Sequence, residues 1–166
     1  MTGRMRPERP HIKYRDTILY MGTAKDLTSS QYEELAEFRR QIRRFLFFSE
    51  ATAREHGIEA QQHQLLLAVR GLPTGTKPTI RELASCLFIQ HHSAVELINR
   101  LEKSGAVARE SGTEDRREVW IRLTAAGRTI LRKLALAHRS ELERSGPELA
   151  RALQSVLREG RKARTI

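Results

Sequence analysis

The chain has 166 residues, of which 30 are Lys or Arg and 20 are Asp or Glu, so its formal net charge is +10. This length suits one domain with its own core, and the positive balance favours a polyanionic partner, nucleic acid ahead of an anionic membrane surface. The single cysteine, Cys86, excludes an intrachain disulfide and a cysteine-based metal cluster. No segment reaches the roughly 18 apolar residues of a membrane span, and Met1 to Pro10 lacks the apolar stretch of a secretory signal. We therefore expect a cytoplasmic protein that makes no membrane contact.

The N-terminal part divides into an arm and a helix. Residues 1–27 carry two prolines and scattered charge, and we interpret them as a basic N-terminal arm. Residues 28–57 are predicted to form a long helix, because apolar side chains recur there at three- and four-residue steps. These side chains are Tyr32, Leu35, Phe38, Ile42 and Phe45.

The C-terminal part, residues 124–166, is predicted to contain two helices. Thr124 is placed to cap a long one. Gly146 and Pro147 are then predicted to break it, since proline suits the first turn of a following helix.

Residues 58–123 lie between these helical ends and carry the functional signal. Two short helices, the second at about 90–103, are joined by a tight turn, which is typical of a helix-turn-helix. Alternating apolar residues in the segment of about 107–123 then predict a β-hairpin. A helix-turn-helix followed by a hairpin is a winged helix, in which the second helix enters the major groove and the wing reaches the backbone or minor groove. The predicted fold class is mainly α with a small β-hairpin, a winged helix-turn-helix core flanked by N- and C-terminal helices.

Three motifs carry a family resemblance. They are Thr79-Ile-Arg-Glu-Leu-Ala running on through Ser93-Ala-Val-Glu-Leu-Ile-Asn-Arg-Leu, then Asp115-Arg116-Arg117, then Leu123-Thr-Ala-Ala-Gly127. With this spacing the sequence resembles the MarR family of multiple-antibiotic-resistance-type transcriptional regulators, over roughly residues 30 to 136. The resemblance implies a homodimer whose first and last helices pack together as dimerisation helices. It also implies a repressor that binds a pseudopalindromic operator in double-stranded DNA.

The DNA-contacting residues are expected on the wing and on the recognition helix. By the resemblance, Arg117 matches the wing arginine that enters the minor groove, Asp115 the carboxylate that orients the wing, and Arg116 a second phosphate contact. The candidates on the recognition helix are Gln90, His91, His92, Ser93, Glu96, Asn99 and Arg100.

Glu96 departs from the common family pattern, which has Ser/Thr-Arg where this chain has Val95-Glu96. A carboxylate facing DNA repels phosphate. Glu96 therefore either accepts a hydrogen bond from a cytosine amine or pairs with Arg100 one turn later.

The resemblance also implies a cleft for a small aromatic or anionic effector between the dimerisation helices and the winged helix. Its candidate residues are Phe45, Phe48, His63, Leu66 and Arg70. The simpler alternative is that both phenylalanines belong to the core and that His63 is a satisfied, partly buried histidine. Cys86 is expected to pack as a small apolar residue. We expect no metal site, because His56, His63 and His138 are dispersed in sequence and the adjacent His91 and His92 do not form a zinc pair unaided.

An enzyme is disfavoured, because the sequence has no Gly-rich phosphate loop, no nucleophile elbow and no recognisable pair of catalytic carboxylates. No cofactor is expected. The alternative function is a dimeric winged-helix interaction module without sequence-specific DNA binding, suggested by the acidic residues Glu96, Glu110 and Glu114. Residues 88–122 hold six basic and six acidic groups, so specific binding must depend on a few placed residues rather than on bulk charge.

Overall fold

A computed structural model of the protein describes residues 26–111 and 118–162, with side-chain exposure up to residue 158. The N-terminal arm as far as residue 25 and the wing residues Asp115, Arg116 and Arg117 lie outside the described residues. The described elements are α1 (Ser29–Glu55), α2 (Ala60–Gly71), α3 (Ile80–Leu87), α4 (His91–Lys103), β1 (Val107–Ser111), β2 (Val119–Leu123) and α5 (Ala125–Lys162). This arrangement confirms the predicted fold class. None of the helices in these ranges combines the length and apolarity needed to cross a bilayer.

Local signals set the boundaries of the helix-turn-helix. The hydroxyl of Thr79 accepts a hydrogen bond from the amide of Glu82 at 3.2 Å and so caps α3. Phe88 ends α3 in a left-handed conformation, with φ at 55°. Gln90 then occupies the N-cap position of α4, and Gly105 follows α4 with φ at 73°.

The core is built around one face of α4, which buries Ala94, Leu97, Ile98 and Leu101. Leu65 and Leu66 of α2, Leu83 of α3 and the inward side chains of the hairpin belong to the same cluster. In the antiparallel register of the hairpin, Val107 pairs with Leu123 and Arg109 with Ile121. Because α4 gives this face to the core, its opposite face is free to meet solvent or a partner.

The prediction that Gly146 and Pro147 break the C-terminal segment was wrong, since α5 runs through Pro147 as one helix. Two hydrogen bonds join the part of α5 that follows the proline to α1. Arg44 donates to Glu148 at 2.9 Å, and Ser155 donates to Glu34 at 2.7 Å. Pro147 is itself exposed, so water can solvate the carbonyl that loses its helical donor. Packing against α1 therefore outweighs the local preference of proline.

The first turn of α5 approaches β1 closely at Gly127. A Cβ atom at this position would lie 1.9 Å from the carbonyl oxygen of Ala106. Gly127 is buried, and its amide donates to the hydroxyl of Thr124 at 3.1 Å. Only glycine fits between helix and strand at this crossing.

We predict that Gly127→Ala destabilises the protein by about 2 kcal/mol or more, because the added methyl meets backbone atoms that cannot rotate away. Urea-induced unfolding followed by circular dichroism measures the loss. Gly71→Ala is the matched control, because a Cβ at the end of α2 meets nothing within 4 Å. Equal stability of the two variants would contradict the close approach.

Candidate nucleic-acid interface and effector cavity

The candidate recognition residues lie on the outer side of α4. Gln90, His91, His92, Glu96, Asn99 and Arg100 are exposed, and Ser93 is half-buried. His92, Glu96 and Asn99 follow one another at four- and three-residue steps, so they form one row on the helix surface. The structure thus gathers the candidates that the sequence analysis placed on this helix.

Two of these residues are held by neighbouring elements. The Nη1 atom of Arg100 donates to both carboxylate oxygens of Glu59, at 3.1 and 2.9 Å, which ties α4 to the start of α2. The Oδ1 atom of Asn99 accepts from Arg109 of β1 at 2.6 Å, and Arg109 also pairs with Glu102. Arg100 therefore pairs with Glu59 and not with Glu96. Glu96 is exposed and has no hydrogen-bond partner among the residues that the structure describes.

The outer face of the hairpin carries compensated charges. Glu110 forms an ion pair with Arg122 across the two strands. Lys77 donates to Glu118 at 3.1 Å, and its ammonium lies 5.0 Å from the ring centre of Trp120. The sequence analysis did not identify Lys77 and Trp120, since a lysine before the helix-turn-helix gives no local sign of a partner on the hairpin.

A cavity of about 590 Å³ lies where α1, α2 and α5 meet. Phe45 and His63, two of the predicted effector residues, line it together with Ser49, Leu67 and His138. The ring centres of His63 and His138 are 4.6 Å apart. The rings of Phe45 and His138 are nearly perpendicular, with their centres 5.9 Å apart. The fold therefore brings two histidines into contact from distant parts of the sequence.

The protonation of His138 follows from its partners. Its Nδ1 atom lies 2.7 Å from the carbonyl oxygen of Leu134, and its Nε2 atom lies 2.8 Å from the hydroxyl of Ser49. A carbonyl only accepts hydrogen bonds, so Nδ1 carries the proton. In the neutral ring, Nε2 then accepts from Ser49.

His63 differs from His138, because it is 2% exposed and its ring makes no hydrogen bond to any described residue. Its Nδ1 atom is fully shielded from solvent. Burial, with a smaller contribution from His138, lowers the pKa of His63 to about 4. His63 is therefore a neutral polar group at pH 7 that lines a cavity without a hydrogen-bond partner in the described chain.

The remaining predicted effector residues do not line this cavity. Phe48 meets His138 at 5.6 Å between ring centres, from the same helix as Phe45. Leu66 is fully buried in the core, and Arg70 lines a separate cavity beside Trp120. Within the described ranges, no three His, Cys, Asp or Glu side chains cluster as metal ligands would.

Ser49 and His138 complete the first cavity, although the sequence analysis did not assign them to it. Both are polar residues on an otherwise apolar helical face. This interruption is the sequence signal that could have assigned them to the cavity. Cys86 is half-buried on α3 and lines another cavity beside Leu67 and Leu87.

Residues 56–118 match the model of the MarR family. This segment contains α2, α3, α4 and the first strand of the hairpin, so the match confirms the resemblance that the sequence motifs indicated. A comparison with curated protein sequences finds no match.

Several solved structures share the fold, among them structures of MarR family proteins. AbsC, a MarR family transcriptional regulator from Streptomyces coelicolor, is 21% identical, with a TM-score of 0.64 over 84% of this chain and 99% of that one. Sco3205, from the same organism and solved in complex with DNA, is 22% identical, with a TM-score of 0.63 over 84% and 91% of the two chains. CouR from Rhodococcus jostii RHA1, bound to p-coumaroyl-CoA, is 19% identical, with a TM-score of 0.60 over 70% and 81%.

The lowered pKa of His63 predicts a pH-dependent stability. Between about pH 6.5 and 4 the unfolded chain binds a proton at His63 and the folded chain does not. When the pH is lowered through this window, the free energy of unfolding therefore decreases by about 3 kcal/mol because of this residue. At lower pH its contribution stays constant. Urea unfolding at several pH values measures the slope.

We expect His63→Gln to flatten this slope, whatever its effect at pH 7. His92→Gln removes an exposed histidine by the same substitution and is expected to keep the slope of the original protein. If His63→Gln retained the full slope, the buried neutral state of His63 would be refuted.

Proposed function

We propose that this chain, whose winged-helix segment matches the MarR family, is a homodimeric, sequence-specific DNA-binding transcriptional regulator. It acts as a repressor on a pseudopalindromic operator in double-stranded DNA. The observation that carries the proposal is the division of α4 into a face buried in the core and a polar face exposed beside a hairpin. This is the geometry with which a recognition helix enters the major groove. The complex of Sco3205 with DNA supports the same use of the fold.

Exposed apolar side chains on α1 and α5 support a homodimer. Phe47 is 73% exposed, Leu136 62% and Tyr32 61%, although each is large and apolar. The other exposed members of this set are Leu35, Leu46, Leu142, Leu153 and Leu157. A second copy that packs against these helices would cover them. Two-fold symmetry would then set two α4 helices about 34 Å apart, which is one turn of DNA.

The roles at the DNA follow from the exposed polar face. Gln90 and Ser93 at the start of α4 are placed to contact phosphate or base edges. Glu96 is left without a protein partner, because Arg100 is held by Glu59. We therefore assign Glu96 to a cytosine amine in the major groove. The wing supplies Arg117 to the minor groove, Arg116 to phosphate and Asp115 as the group that orients them.

The cavity around His63 and His138 is the proposed effector site. The charges at its edge are balanced, since Arg139 pairs with Glu143 at 3.0 Å. The ring of His63 is neutral at pH 7, and both ring nitrogens of His138 already have partners, the carbonyl of Leu134 and the hydroxyl of Ser49. The cavity therefore suits a small neutral aromatic compound with a hydroxyl for His63 better than a free anion. The CouR structure with p-coumaroyl-CoA supports an aromatic effector for this fold.

The alternative of a pure interaction module has less support than DNA binding. Of the acidic residues that suggested it, Glu110 is neutralised by Arg122. Glu114 lies outside the described residues. Glu96 alone remains, and an exposed carboxylate without a protein partner is also what direct base contact requires.

Replacement of Arg117 tests the wing. We predict that Arg117→Ala weakens binding to all duplex sequences and lowers the slope of log affinity against log salt by about 0.9, the contribution of one phosphate contact. Fluorescence anisotropy at several salt concentrations measures this slope. Arg132→Ala, an exposed arginine on α5, is the control with an unchanged slope. A full slope in Arg117→Ala would remove Arg117 from the DNA interface.

Replacement of Glu96 tests the face of α4. We predict that Glu96→Gln binds non-specific duplex roughly fivefold more tightly at low salt, because it removes one unit of repulsion worth about 1 kcal/mol near phosphate. The control is Glu33→Gln, which removes an exposed carboxylate from α1. Equal affinities for non-specific duplex in the two variants would show that Glu96 does not face DNA.

A further inference from the structure

Asn99 belongs to the exposed row on α4 and also contacts the hairpin. It follows Glu96 by three residues, so both side chains lie on the same exposed face of the helix. The Oδ1 atom of Asn99 lies 2.6 Å from the Nη2 atom of Arg109 on β1. Arg109 in turn forms an ion pair with Glu102, three residues further along α4. The orientation of Asn99 is therefore set by the neighbouring strand.

The contact with Arg109 decides which way the amide of Asn99 faces. A guanidinium group only donates hydrogen bonds, so the atom of Asn99 that it contacts is the oxygen and not the nitrogen. The reverse orientation would set N–H groups against each other. The Nδ2 group of Asn99 has no hydrogen-bond partner among the residues that the structure describes. The side chain therefore keeps two N–H donors available to a partner of this face.

The base edges in the major groove differ in what such a side chain can bind. Asparagine usually contacts adenine with both polar atoms, because Oδ1 accepts from the N6 amino group while Nδ2 donates to N7. In Asn99 the oxygen is occupied, and a second donor there would lie beside the N–H groups of Arg109, which repel it. Guanine presents two acceptors, O6 and N7, and no donor. It is the base that suits a side chain able only to donate.

We propose that Asn99 reads a guanine in the major groove and that Arg109 is the positioning residue that directs this choice. The inference rests on the proposed binding of DNA and names one base of the recognised sequence. Arg109 acts without touching DNA, since it holds the oxygen of Asn99 toward β1 while Glu102 holds Arg109. Glu96 offers only acceptors and is assigned to a cytosine amine. The row that contains Glu96 and Asn99 thus favours G·C pairs over A·T pairs.

The substitution Asn99→Asp separates the reading of a base from the contact with the hairpin. Aspartate has the same shape, keeps an oxygen for Arg109 and replaces the two N–H donors by a second acceptor. Selection of the full-length protein on random duplexes is expected to give a motif with a guanine that the motif of Asn99→Asp lacks. With purified duplexes, exchange of this guanine for adenine is expected to weaken binding by the original protein at least about fivefold and not to weaken binding by Asn99→Asp.

The substitution Arg109→Met tests the positioning role. Without the guanidinium group the oxygen of Asn99 is free, and the amide can contact adenine with both atoms. We expect the ratio of the affinities for the guanine and adenine duplexes to fall at least about fivefold. A variant that only loosened the hairpin would weaken binding to both duplexes equally and leave this ratio unchanged. The control is Arg122→Met, which removes the same charge from β2, where Arg122 pairs with Glu110 and not with α4. It is expected to keep the preference for guanine.

Three results would overturn the proposal. The first is an unchanged motif in Asn99→Asp, since Asn99 would then only tie α4 to the hairpin. The second is adenine instead of guanine at the position that Asn99→Asp alters. The third is an unchanged ratio of affinities in Arg109→Met. All three differ from a failure of the proposed function, in which the original protein itself selects no motif and the inference falls with it.

Discussion

The relation between the winged-helix part and the long helices depends on the close approach of α5 to the start of the hairpin. Thr124 donates to the carbonyl oxygens of Gly105 and Ala106, through its hydroxyl at 2.6 Å and its amide at 3.1 Å. The following turn of α5 then passes over Ala106 at Gly127 without space for a side chain. Helix α4 ends at Lys103, immediately before this crossing. The orientation of α5 therefore fixes where the recognition helix and the base of the hairpin lie.

If the proposed function holds, this joint gives a structural route from the cavity around His63 to DNA. The cavity around His63 is lined by α1, α2 and α5, and α2 is in turn tied to α4 by Glu59 and Arg100. A ligand that separates α2 from α5 would act on two elements that both hold α4. Since packed helices shift as units and do not deform continuously, a small change in the cavity would, in the proposed dimer, change the spacing of the two α4 helices.

The cavity around His63 and the cavity at the base of the hairpin differ in the charges of their lining. Around His63, burial lowers the pKa of that ring, and Arg139 is paired with Glu143. At the base of the hairpin, Arg70 and Arg128 line a separate cavity and have no carboxylate partner in the described chain.

Much of the fold was predictable because its signals are local. Capping by Thr79, the left-handed Gly105 and the alternation along β2 each depend on a few neighbouring residues. The sequence prediction failed at Pro147, where contacts with α1 through Glu148 and Ser155 overrule the local preference. It also missed the contact between His63 and His138, since a pairing of distant residues leaves no periodic pattern in the sequence.

The candidate site was predictable to a similar extent. The exposed row on α4 followed from its helical period, because the apolar positions fixed the buried face. The separation of Arg70 from the predicted effector cavity did not follow, since it depends on how the end of α2 packs against the hairpin. The partner of Arg100 is likewise a residue on another element, Glu59, and not the nearer Glu96.

The central claim is that the exposed face of α4, in a two-fold symmetric dimer, reads a DNA sequence. The most direct measurement is an unbiased selection of the full-length protein on a pool of random duplexes. The account predicts enrichment of an inverted repeat whose half-sites are centred about one helical turn apart. A selected pool without an enriched motif would contradict it and would favour a winged-helix module that binds another protein.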